Sequence, residues 1–105
     1  MKEDTNTDYF KLCMEAVVNS DIGANSIGGD AFADEQLLIA SKTSMSSKLR
    51  KGRKNGRHGW WTPKVCSIEE LYKLREKALA EDDHISTLNY TSMIAMRQSI
   101  ESDGK

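Results

Sequence analysis

The stretch whose residue types could do chemistry runs Gly52-Arg53-Lys54-Asn55-Gly56-Arg57-His58-Gly59-Trp60-Trp61-Thr62-Pro63. Its three glycines, four and three residues apart, let a backbone turn sharply and bring amides close to a ligand. Lys51, Arg53, Lys54 and Arg57 supply charge-assisted donors, His58 adds a ring nitrogen, and Trp60 and Trp61 offer stacking faces. These seven residues form the candidate ligand-binding set, and the chemistry they suit is recognition of a phosphate, a nucleotide or a nucleic acid. The spacing is not that of a Walker loop, which needs Gly-Lys-Ser/Thr after the second glycine, nor of a dinucleotide fingerprint, which needs a preceding strand. A plainer reading stands beside the first: the two indoles pin a long loop onto the helices, Asn55-Gly56 makes a tight turn, and Pro63 ends the segment. Adjacent bulky side chains in an extended segment point in opposite directions, so one tryptophan should be the more exposed. His58 and His84 are solitary and read as hydrogen-bonding surface groups rather than bases or metal ligands.

The charge around this segment is segregated. Residues 1–35 carry −6, residues 36–68 carry +8 with no acidic side chain, and residues 69–105 carry −3, which together give the net −1. Lys48, Arg50, Lys51, Arg53, Lys54 and Arg57 fall within ten residues. A local cluster of this kind points either to a focused anion site or to an internal or intersubunit partner among the acidic blocks, and the sequence leaves both open.

Four helices must position the basic segment, and no strand is expected. The first spans about Asp8 to Asn19, with Thr7 as N-cap and Phe10, Cys13, Met14 and Val17 at helical spacing. A Gly-rich linker follows, from Asn19 to Asp30. The second helix starts between Asp30 and Asp34 and ends near Lys51, with Gly52 as the residue that closes it and Lys48, Arg50 and Lys51 suited to its negative pole. Arg53, Lys54 and Arg57 lie beyond that expected cap and are left for another purpose. Ser67-Ile68-Glu69-Glu70 is a capping box that opens the third helix, with Cys66 and Leu71 as its hydrophobic staple. Ile68, Leu71, Leu74 or the Arg75 stem, and Ala78 make its core face. The fourth helix starts at Asp83 or Ser86 and runs to about Glu101, and the short acidic turn before it predicts an antiparallel hairpin. The expectation is a single all-α domain over 1–105: an acidic helix and linker over 1–35, then a helical module over 36–105 with its basic loop at 52–63. The apolar face of the last helix is too wide for a four-helix monomer to cover, which predicts a homo-oligomer formed through Met93, Met96 and Ile100.

Catalytic signatures are missing: there is no His-x-x-x-His, Cys-x-x-Cys or Gly-x-Ser-x-Gly. No catalytic residue, metal site or cofactor is expected. Cys13 and Cys66 fit neither a disulfide framework nor a zinc pattern and read as small buried apolar residues. The polar, acidic start and the lack of a long apolar run predict a cytoplasmic protein without a membrane partner.

Residues 48–60, Lys48-Leu49-Arg50-Lys51-Gly52-Arg53-Lys54-Asn55-Gly56-Arg57-His58-Gly59-Trp60, followed by Cys66-Ser67, Asp83-His84-Ile85, Asn89-Tyr90 and Met93-Ile94, resemble a recurrent module of small bacteriophage-encoded proteins. That module reads approximately K-L-x-x-x-R-x-x-G-R-x-G-W, C-S, a helix, then D-P-V-D-V-x-N-F-x-M-M. The likeness covers residues 48–97 and departs at Trp61, His84 and Ser86. It implies a phage origin, a helical hairpin and residence in the host bacterial cytoplasm, and it carries no catalytic residue across. The expected function is that of a phage accessory protein acting by binding a nucleotide or nucleic acid through the basic Gly/Trp loop, with countering host defence as its setting. The alternative is an inhibitor that blocks a host defence or replication protein through acidic or Met-rich surfaces.

Overall fold

A computed structural model describes residues 8–20 and 27–103. It is all-helical, with α1 at Tyr9–Val18, α2 at Ile27–Lys54, α3 at Ile68–Ala80 and α4 at His84–Asp103. The chain divides into two compact units, Met1–Ser47 and Lys48–Lys105, with the division inside α2.

In the first unit Asp8, not Thr7, caps α1: its carboxylate accepts from the Lys11 amide at 3.1 Å. Thr7 lies outside the described residues, as does half of the expected linker, residues 21–26. Phe10, Cys13 and Val17 are half-buried along one face, whereas Leu12, Met14 and Val18 are exposed. Helix α2 begins at Ile27, earlier than expected, and so takes Gly28, Gly29 and Asp30 into its first turn. Its buried positions in this unit are the small residues Ala40 and Ser44, one turn apart, while Leu37, Leu38 and Ile39 are exposed.

The second unit holds the hydrophobic core. Leu71, Met93 and Ile94 are its buried centre, with Leu49, Trp60, Cys66, Ile68, Tyr72 and Tyr90 packed around them. Ser67 caps α3, its hydroxyl accepting from the Glu70 amide at 3.0 Å. Leu71 and Ala78 then fall on the inward face at heptad spacing. Arg75 meets Thr91, and Tyr72 meets Gln98, so positions along α3 and α4 pair in reverse order. Arg75 also lies over the Tyr72 ring, 5.0 Å from its centroid.

Met93 corrects the expected oligomer surface. It is 3% exposed, as part of the buried cluster with Leu71 and Ile94 against which Leu49 and Trp60 also pack, and only Met96 and Ile100 of the three remain exposed. No helix among the described residues is long and apolar enough to cross a membrane.

Candidate functional site

Gly52 does not close α2. The helix continues through Arg53 and Lys54, and Gly56, at φ +98°, takes the left-handed position beyond it. The Arg57 amide bonds the Gly52 carbonyl at 2.9 Å, and the Gly56 amide bonds the Arg53 carbonyl at 3.1 Å. This pair of bonds is a Schellman cap, moved four residues downstream of the expected one. Gly52 serves a different need: a Cβ there would overlap the Arg57 guanidinium, which folds back over the last turns of the helix. From that seat Arg57 Nη1 donates to the Tyr90 hydroxyl at 3.4 Å, with the guanidinium 5.9 Å from the ring centroid.

The second half of the loop is held at several points. Gly59 has φ +74°, and a Cβ on it would come 2.6 Å from Val65 Cγ1. The Thr62 amide bonds the Gly59 carbonyl at 3.1 Å, and the amides of Val65 and Cys66 bond the Thr62 carbonyl at 3.1 and 3.0 Å. The buried Arg97, on α4, holds both ends of this turn: its Nη1 donates to the carbonyls of Trp60, at 2.8 Å, and Cys66, at 3.0 Å. Sequence reasoning missed Arg97. Its signal was its place one heptad after Tyr90 and one turn after Met93 and Ile94, in the middle of an apolar stripe.

The seven candidate residues therefore fall into two groups. Arg57 and Trp60 face inward, Arg57 toward Tyr90 and Trp60 against the core. Lys51, Arg53, Lys54, His58 and Trp61 are exposed, and Trp61 keeps 67% of its surface. His58 is engaged locally, with Nδ1 3.2 Å from the Gly56 carbonyl oxygen. The glycines are taken up by the cap, the Arg57 seat and the Val65 approach, and the amides of Gly56, Arg57, Thr62, Val65 and Cys66 are bonded to main-chain carbonyls.

What remains outward is a helical cation face. Arg50, Lys51, Arg53 and Lys54 are exposed and, among the described residues, form no ion pair. The inward face of the same turns holds Leu49 in the core, Gly52 under Arg57, and Lys48 paired with Asp83 at 3.4 Å. Thus one cation of the cluster uses an acidic partner within the chain. Asp83 also caps α4, accepting from the Ser86 amide at 3.1 Å. Burial pushes its carboxyl upward, but the Ser86 hydrogen bonds and the Lys48 charge outweigh this and hold it below the usual carboxylate range.

Cys66 is half-buried and unbridged. Burial first, and the Glu70 charge second, push its thiol up, against the opposing pull of Arg97. A thiol raised this way stays protonated near neutrality and is a poor nucleophile. Among the described residues, no group of three or more His, Cys, Asp or Glu side chains comes together in a way that could hold a metal ion. No family model matches the chain, and neither a curated protein nor a solved structure does.

Proposed function

We propose that this protein acts by binding, and that it binds the phosphates of a nucleic acid through the end of α2. The observation that carries this reading is the exposed face of Arg50, Lys51, Arg53 and Lys54, four cations in five residues with no ion pair among the described residues. Cations near a helix C-terminus contribute only a few tenths to about 1 kcal/mol each through the helix dipole. A face of one sign costs self-repulsion that a polyanion relieves. The bonding of the Gly56, Arg57, Val65 and Cys66 amides to the Arg53, Gly52 and Thr62 carbonyls favours a backbone lying against side chains over a single nucleotide cradled by glycines. Trp61 is the exposed indole of the loop that follows this helix. The resemblance to phage modules adds the setting, an accessory protein in the host cytoplasm directed against host defence. Met96 and Ile100 remain the surface for a homo-oligomer, read as a rise in mass with concentration and lost in a Met96→Glu, Ile100→Glu variant.

The test measures fluorescence anisotropy of labelled DNA with the full-length protein, alongside melting temperature. Wild type should bind with an affinity that falls steeply with salt. Arg53→Ala, Lys54→Ala should weaken binding by at least about tenfold at low salt while leaving the melting temperature nearly unchanged. A wild type that retains no DNA at low salt would overturn the reading and leave the host-protein inhibitor.

A further inference from the structure

Resting on that nucleic-acid reading, we infer that the ligand is duplex DNA and that the end of α2 enters its major groove. The argument is the shape of the cation face. At about 100° per residue, Arg50 and Lys54 lie about 40° apart, Lys51 lies about 60° beyond Lys54, and Arg53 lies about 60° beyond Arg50 on the other side. The inward positions Lys48, Gly52 and Leu49 occupy the complementary arc, and each is engaged, by Asp83, Arg57 and the core respectively. At a helix radius of about 5 Å the exposed cations spread over about 14 Å around the circumference and only about 6 Å along the axis.

A patch wider around a helix than along it does not track one strand, since a single-strand groove sets its cations in file along the backbone. It meets two phosphate walls at once. The major groove of B-form DNA, about 12 Å wide, admits a helix of about 10–12 Å diameter. In that seat Lys51 faces one wall and Arg53 the other, while the central Arg50 and Lys54 face the floor. Both are pure donors, suited to guanine O6 and N7. A-form RNA, with its deep and narrow major groove, does not admit the helix. The rigid back of this segment, tied to the core through Leu49 and to α4 through Arg57, lets the helix be presented without reordering.

The experiment compares one labelled sequence as a DNA duplex, a DNA single strand and an RNA duplex, with the full chain and with Lys51→Gln and Arg53→Gln, both exposed and replaced by a good helix former. The DNA duplex should bind at least about tenfold tighter than the other two, and each substitution should lower the salt slope by about one. A single strand or RNA duplex bound as tightly as the DNA duplex, or a salt slope that responds to only one of the two substitutions, overturns the groove placement while the nucleic-acid reading stands. No binding to any of the three overturns both.

Discussion

The two connections of the second unit, residues 55–67 before α3 and Glu81–Asp83 before α4, start from the same backbone device and are held by different forces. After α3 the Asp83 amide bonds the Ala78 carbonyl at 2.9 Å and the Asp82 amide bonds that of Leu79 at 3.1 Å, the same Schellman pattern that closes α2. At the left-handed position, however, the long loop has Gly56 and the short turn has Asp82, at φ +58°. The long loop is then gripped from within, by Arg97, a residue 6% exposed, and the short turn from the surface, by the Lys48–Asp83 pair and a helix cap. A turn of three residues leaves little chain to order and tolerates a strained residue and exposed partners, whereas an excursion of thirteen needs a buried anchor to keep its shape.

The comparison is broken most forcefully at Arg97. Arg97→Met removes the donor to two carbonyls and should lower stability by about 2–4 kcal/mol, read by urea unfolding of the full chain. Arg97→Lys should restore only part, because an ammonium lacks the planar fork. Gly59→Ala comes next, losing about 1–3 kcal/mol from the left-handed backbone and the Val65 approach together. The paired caps sharpen the contrast: Gly56→Ala should cost about 1 kcal/mol, while Asp82→Gly should gain up to about 1 kcal/mol, opposite shifts in melting temperature from the same position of the same motif. The smallest effect belongs to Asp83. Its folded pKa lies below its unfolded value, so its contribution is present above about pH 4 and is lost as pH falls through the folded pKa. Asp83→Asn keeps a capping oxygen and should flatten the acid limb of the stability profile below about pH 4, with less than about 1 kcal/mol lost at neutrality. An unchanged acid limb would show that the Lys48 pair and the Ser86 bonds do not favour the ionised form.

The all-helical architecture and the start of α3 were legible because they are written in local terms: apolar spacing near 3.6 and a serine three residues before a glutamate. The close of α2 was not. Gly52 looked like a stop because a glycine after a basic turn fits the cap rule, but its missing side chain makes room for Arg57, a residue whose seat depends on Tyr90, 33 positions on. Met93 was misread for a related reason, since the cluster that buries it also takes in Trp60 and Leu49, from outside the hairpin. Of the candidate binding set, the exposed positions on α2 lie on one helical face, and that grouping emerges only once the helix is known to continue past Gly52. Asp82 in a left-handed conformation carries no signal in residue type beyond the mild tolerance of aspartate for it.

Arg97 reaches the Trp60–Cys66 segment through two main-chain oxygens, one at each end. A grip on carbonyls is blind to side-chain identity, so three of the four solvent-facing residues between the two anchor points, Trp61, Pro63 and Lys64, can be exchanged without releasing it, Val65 being held by its approach to Gly59. The chain thereby separates the part that keeps a loop in shape from the part that meets the outside. A library randomised at those three positions should therefore remain folded across most of its members.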